Sequence, residues 1–249
     1  MIVLMTDFGS ADPYAGLMRA AISRVAEVPV LDLLHEMPNY DARAGAYLVD
    51  ALQRQFEPGT VFVCVVDPGV GGDRAPVMVE ADGKWYVGPD NGLFNIVCRR
   101  AAEVKSLRID WRPGHLSSSF HGRDLFAPVA AGLATGVTPA HTPWTLVETP
   151  DWPEDLPEVV YVDHYGNAMT GIRADSLSRH ATVDIGDTRL PRGATFASHR
   201  PGEAFWYRNS LDLVEIAVRE GSAAASLGLR VGDTLKVTDY GWLLDPDSP

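Results

Sequence analysis

Hydrophobic and polar positions along this chain follow two regimes. The first opens with Ile2 to Thr6, apolar almost throughout and followed at once by Asp7-Phe8-Gly9. A continuous apolar run closed by a turn signal predicts a strand buried on both faces and its exit loop. Residues 14–26, YAGLMRAAISRVA, predict a helix with Leu17, Ala21 and Val25 on one face and Met18 and Ile22 beside them. Pro29 to Leu34 predicts a second strand. Asp41 then caps a helix running to Gln55, stopped by Glu57-Pro58-Gly59. The β-branched stretch Thr60 to Val66 predicts the most buried strand, ending at Asp67-Pro68-Gly69. Strands without polar alternation, separated by helices, imply an α/β domain with a mostly parallel, helix-covered sheet. Within it, residues 75–87 form a hairpin around Asp82-Gly83, and residues 90–100 and 122–136 predict further helices.

The pattern changes at residues 149–158, TPDWPEDLPE, where three prolines and four acids predict a linker. Beyond it come short strands broken by Tyr165-Gly166-Asn167 and Gly186-Asp187, which predict a small antiparallel β-barrel domain. The expected layout is an N-terminal α/β domain over residues 1–148, a linker over 149–157, and a barrel over 158–249. The closing LLDPDSP is expected to be a disordered tail.

Composition narrows the function classes. The net charge is −12, without a basic cluster, so nucleic acid is not an expected partner. No run approaches the ~18 apolar residues of a membrane span, and the apolar N-terminus is too short for a signal peptide. The two cysteines, Cys64 and Cys98, sit in apolar surroundings and predict buried free thiols, as suits a reducing cytoplasm.

In an open α/β sheet, ligands bind beyond the carboxyl ends of strands. Three such ends carry acids beside glycines: Asp7, Asp67 and Asp90. Each alone reads as readily as a turn or cap residue; together they point to a site. The glycine-rich VDPGVGGDR, residues 66–74, lacks the spacing of a phosphate loop or dinucleotide fingerprint. It offers instead a turn with Asp67 at one end and Arg74 at the other. His121 stands at the mouth of a helix whose buried face includes Leu125, Phe126 and Val129, where it reads equally as a cap or as a functional group. Arg123 and Asp124 read as a structural pair. A metal-dependent hydrolase built on Asp7, Asp67, Asp90 and Asp124 is one reading, but no HxH, HExxH or cysteine pair adds further ligands.

Six motifs occur together and in order: TDFG (6–9), VVDPGVGG with Arg74 (65–74), GPDNGLF (88–94), FHGRD (120–124), D-x-Y-G-N (163–167) and NS…EIA (209–217). The set resembles the S-adenosylmethionine hydroxide adenosyltransferases, relatives of the bacterial fluorinase and chlorinase. The resemblance covers nearly the whole chain. It implies an enzyme that hydrolyses S-adenosyl-L-methionine to adenosine and L-methionine without a metal or cofactor. It also implies a homotrimer, with each site between one subunit's N-terminal domain and its neighbour's C-terminal domain. The family's catalytic triad falls on Asp67, Arg74 and His121. Ribose contacts fall on Asp7 and Asp12, with Tyr40 over the ligand and Phe120 lining the ribose pocket. Asp163 and Asn167 match the methionine end, with Tyr165 where a Phe is usual. Ser210 and the backbone of Val218, Arg219 and Glu220 match the adenine cradle, with Glu215 on the same segment. Two departures stand out: Asp212 replaces a common glycine two residues after Ser210, and Arg219-Glu220 replaces an Asn-containing pair. In the halogenating relatives a serine receives the halide where this chain has Gly122. A non-catalytic adenosine-binding or S-adenosylmethionine-binding protein that keeps the pocket is the other reading.

Overall fold

The structure, a computed structural model, describes residues 1–178 and 180–239, and the chain divides into two compact units after Pro150. The expected tail over residues 243–249 lies outside the described residues.

The N-terminal unit is a seven-stranded sheet in the order β2-β1-β3-β5-β4-β6-β7. Its parallel half comprises β1 (Ile2–Thr6), β2 (Val30–Leu34), β3 (Val61–Val65) and β5 (Lys84–Pro89). The Asp82-Gly83 hairpin turns the sheet antiparallel, joining β5 to β4 (Pro76–Ala81), which in turn pairs with β6 (Val104–Ile109). A short edge strand, β7 (His141–Pro143), closes that side. Side chains of β1 and β3 point alternately into two cores, as the pleat requires. Ile2, Leu4, Val61 and Val63 pack beneath α1 (Tyr14–Ser23) and α4 (Ala127–Ala134). Val3, Met5, Phe62 and Cys64 pack against the other face, with α2 (Ala42–Gln53) and α3 (Asn95–Arg100). The oxygen of the Asp41 side chain accepts from Ala44 N at 2.9 Å, the cap expected for α2.

The predicted face of α1 is corrected. Ala15, Met18, Ala21 and Ile22 are buried, whereas Leu17 and Val25 are 40% and 53% exposed. The helix ends at Ser23, so Val25 lies beyond it, and Leu17 falls on the outer side of the stripe set by Met18 and Ile22.

The C-terminal unit is antiparallel. One sheet runs β12-β13-β9-β8 and the other β11-β10-β14. The first comprises β8 (Leu156–Val162), β9 (Ala168–Arg173), β12 (Ala204–Arg208) and β13 (Leu213–Val218). The second comprises β10 (Thr182–Ile185), β11 (Thr188–Leu190) and β14 (Lys236–Thr238). Strand β8 begins inside the segment expected to be a linker. Single bridges join Glu158 to Thr234 and Arg192 to Trp206. A short helix, α5 (Ala223–Leu227), starts from a Ser222 cap on Ala225 N.

Candidate active site

Two cavities carry nearly all the residues singled out in the sequence, one in each unit. The cavity of the N-terminal unit is 580 Å³ and lies at the carboxyl ends of β1 and β3, where an open α/β sheet binds ligands. Asp7 leaves β1, and Asp67 follows β3. His121 arrives from the other side of the chain, one residue before a π-helical turn, Gly122–Phe126, that leads into α4. Such turns recur at functional sites because the extra residue re-aims the side chains beside it.

The loops bearing Asp67 and His121 meet at Gly71. Its φ is +80°, and a Cβ there would collide with the Ser118 carbonyl oxygen, so only glycine lets the two loops touch. Arg74 then links them. Its Nε donates to both Asp67 carboxylate oxygens at 3.0 Å, its Nη2 also pairs with Asp67 Oδ2, and the same nitrogen lies 2.8 Å from His121 Nδ1. Arginine can only donate, so Nδ1 is the acceptor and the neutral ring carries its proton on Nε2. Both members of the ion pair are nearly buried, with side-chain exposures of 11% for Arg74 and 5% for Asp67. The guanidinium also lies 5.3 Å from the Phe126 ring centroid. Burial and the Arg74 charge hold the His121 pKa below its ordinary 6.5.

Asp7 stands opposite. Its Oδ2 accepts from Tyr40 N at 3.1 Å, and burial, reinforced by the nearby Asp67 charge, raises its pKa above 3.8. Tyr40 adopts a left-handed φ of +63°, uncommon for a bulky side chain, and is 75% exposed beside the cavity. Asp12 and Phe120 also line the cavity. Phe8, Tyr14 and Phe120 form edge-to-face pairs with centroids 5.4–5.8 Å apart. Tyr14, Glu36 and Asn39 line the same space although no local motif marks them; Tyr14 reads as an ordinary helix residue until the fold brings Phe8 and Phe120 to it.

The cavity of the C-terminal unit is 660 Å³ and takes in Asp163, Tyr165, Asn167, Ser210, Glu215, Val218 and Glu220. Asp163 and Asn167 close the β8–β9 turn: Asn167 N and Nδ2 donate to the two Asp163 oxygens at 2.8 and 3.0 Å. Glu215 is 2% exposed. Its oxygens accept from Tyr207 OH and from Asn209 Nδ2, and burial raises its pKa. Asn209 Oδ1 in turn holds Leu211 N and Leu213 N, at 2.9 and 3.0 Å, so Glu215 braces the turn that presents Ser210. In that turn Asp212 has φ +64°, the conformation in which glycine is at home and Asp is among the better substitutes.

Arg219 is not among the lining residues. Its Nη1 donates to the His199 carbonyl, and its backbone N donates to Glu203 O at 3.1 Å. Asp90 stands apart from both cavities. Its two oxygens accept from Trp144 Nε1 at 2.8 Å and Val147 N at 3.0 Å, so it fastens the chain after β7. Asp124 pairs with Arg123 and caps Ser117 N, the structural role expected of it.

An α/β unit with a carboxylate–guanidinium–imidazole cluster at its strand ends, followed by an antiparallel β unit with an acidic cavity, defines a two-part small-molecule enzyme scaffold. The chain belongs to the SAM hydroxide adenosyltransferase family, whose N-terminal domain model matches residues 2–142 and whose C-terminal model matches residues 157–236. It is 37% identical to a Thermus thermophilus protein named (R)-S-adenosyl-L-methionine hydrolase, covering 93% of this chain and 96% of that one. A protein of the same name from Salinispora arenicola is also 37% identical, over 95% and 97% of the two chains. Among solved structures, an uncharacterized conserved protein from Thermotoga maritima matches with a TM-score of 0.83 at 28% identity, over 96% of this chain and all of the other.

Proposed function

We propose that this enzyme hydrolyses S-adenosyl-L-methionine to adenosine and L-methionine by in-line attack of a water on C5′. The observation that carries the reading is Arg74, which lies behind the cavity lining and is bonded at once to Asp67 and to His121 Nδ1, two residues that line the cavity holding Asp7. The sulfonium leaves as a neutral thioether and needs no proton. What the reaction lacks is a nucleophile, because hydroxide is scarce at neutral pH. Arg74 supplies fixed positive charge from behind Asp67 and His121, which favours the hydroxide-like state of a water held in the cavity. His121, its Nδ1 taken by Arg74, presents no free lone pair and donates through Nε2–H. Asp67 is therefore the proton acceptor. The C5′–O bond forms as the C5′–S bond breaks, the electron pair stays on sulfur, and the water's proton passes to Asp67 and on to solvent.

Asp7 and Asp12 accept the ribose hydroxyls. The second cavity takes the methionine end at Asp163 and Asn167 and the adenine end beside Ser210, Val218 and Glu220. Acids in both cavities suit a cationic substrate. The two sites act as one across a subunit boundary of a homotrimer, which accords with exposed Tyr40 and Tyr165, at 75% and 76%, beside the two cavities. The bridges Glu158–Thr234 and Arg192–Trp206 support reading the two C-terminal sheets as a flattened barrel. The unpaired Cys64 and Cys98 accord with work in a reducing cytoplasm.

A metal-dependent reading is disfavoured by the site itself. The Arg74 guanidinium already neutralises Asp67, and Asp90 is engaged elsewhere by two N–H donors. The test incubates purified protein with the R and S epimers of S-adenosyl-L-methionine, with and without excess chelator, fluoride and chloride. Adenosine is expected as the sole nucleoside, from the R epimer, at a rate unmoved by chelator. Arg74→Ala is expected to lower turnover roughly a hundred- to thousand-fold. Chelator-sensitive activity restored by a divalent ion would favour the metal hydrolase, and substrate binding without product would favour a binding protein. Halogenated nucleoside as a major product would overturn water as the nucleophile.

A further inference from the structure

The loop that carries Asp7 is held from below by a chain of polar groups that starts at Thr6 and continues through residues outside the site motifs. Thr6, the last residue of β1, is fully buried, and His35, just beyond β2, is 7% exposed. Thr6 Oγ1 accepts from Phe8 N at 3.3 Å and lies 2.9 Å from His35 Nδ1. The hydroxyl and the imidazole are thus joined by a direct hydrogen bond, while the hydroxyl oxygen also takes the backbone amide. Nε2 lies 3.3 Å from Asp32 Oδ1, and Asp32 Oδ2 lies 3.1 Å from Arg19 Nη1. The backbone completes the clamp. Gly9 N donates to His35 O at 2.7 Å, Met37 N to Thr6 O at 3.1 Å, and Ser10 N to Glu36 Oε1 at 2.7 Å. The segment from Thr6 to Ser10, which carries Asp7, is thus fastened to residues 35–37 on both sides of Asp7.

The geometry points to His35 as a positioning residue for Asp7, acting through Thr6. It touches no reacting atom: it is absent from the residues lining the Asp7 cavity, and lines instead a neighbouring cavity of 370 Å³ with Asp32 and Glu36. Its work is to fix the Thr6 hydroxyl, which fixes the Phe8 amide and so the direction of the Asp7 carboxylate. A carboxylate that must accept two ribose hydroxyls is sensitive to small rotations, so loss of the clamp weakens substrate binding more than it slows chemistry. Asp32 stands beside the other ring nitrogen, its Oδ1 at 3.3 Å from Nε2. This inference rests on the proposed role of Asp7 in holding the ribose.

Thr6→Val, His35→Leu and His35→Asn separate positioning from mere support of the fold. Val keeps the shape of Thr and loses the hydroxyl. Asn places an amide oxygen near the position of Nδ1, able to accept from Thr6, and gives up the reach to Asp32. Thr6→Val and His35→Leu are expected to raise KM for S-adenosyl-L-methionine about tenfold, the worth of one well-made hydrogen bond, while kcat changes much less. His35→Asn should recover most of that loss. Amide hydrogen exchange at Phe8 and Gly9, measured without substrate, should quicken in Thr6→Val and His35→Leu and be restored in His35→Asn. An unchanged KM in folded Thr6→Val and His35→Leu proteins would overturn the proposal. So would a His35→Asn protein no better than His35→Leu. If the exchange pattern holds but the wild-type protein produces no adenosine, the clamp stands and the proposed reaction fails.

Discussion

At the residue scale the site depends on a histidine that must stay neutral. Protonation would put a hydrogen on His121 Nδ1, directly against the Arg74 Nη2 donor 2.8 Å away, and break the link between the two loops. Burial and Arg74 already push the His121 pKa below 6.5, so the ring is neutral at physiological pH. Activity is therefore expected to fall on the acid side, with a midpoint below 6.5 in the kcat/KM profile. The sign for stability agrees. The folded protein binds this proton less readily than the unfolded chain, so this contribution is full above 6.5 and is lost as pH falls through the lowered value. Denaturant midpoints measured across that window check it; an acid limb centred at or above 6.5 would contradict the assigned tautomer. Asp7, Asp67 and Arg74 were legible as candidates because each sits in a glycine-rich turn after a strand, whereas His121 read equally as a cap until the structure set it against Arg74. Tyr14 was not legible: it reads as an ordinary helix residue, and only the fold sets its ring against Phe8 and Phe120 beside the cavity.

At the element scale, most strands and helices follow from apolar runs and caps. The buried runs of β1 and β3, the Asp41 cap and the Asp82-Gly83 hairpin all lie where the pattern puts them. Strand β6 escapes such reading. Its sequence VKSLRI sets Lys105 and Arg108 among apolar residues, and only pairing with β4 identifies it. The meeting of the 66–74 and 117–121 loops was equally hidden, because it depends on the missing Cβ of Gly71. Gly71→Ala is expected to destabilise by about 1–3 kcal/mol through its positive φ and the displaced Ser118 carbonyl. It should also lower kcat, since Arg74 would no longer span both loops. Gly16→Ala is the control: nothing lies within 4 Å of its Cβ in α1, so it should stabilise by roughly 0.5–1 kcal/mol and leave kcat unchanged. Denaturation midpoints and single-turnover rates on both variants separate strain from loss of chemistry.

At the scale of the whole molecule, the proposed reaction needs residues from both units, with the nucleophile side in one cavity and the adenine and methionine ends in the other. If these belong to neighbouring subunits, two inactive variants should rescue each other. Asp67→Ala disables the first cavity and Asp163→Ala the second. In an equal mixture after subunit exchange, a site is intact only when an Asp163→Ala subunit gives its N-terminal unit and an Asp67→Ala subunit its C-terminal unit. Each condition holds for half of the subunits, so about a quarter of wild-type activity should return. A site built within one chain returns none, since every subunit then carries one damaged cavity. Sedimentation of the wild-type protein should give about 81 kDa, three times the 27.0 kDa chain. A fully active 27.0 kDa species, or a mixture that stays inactive after proven exchange, would place both cavities of each working site on a single subunit.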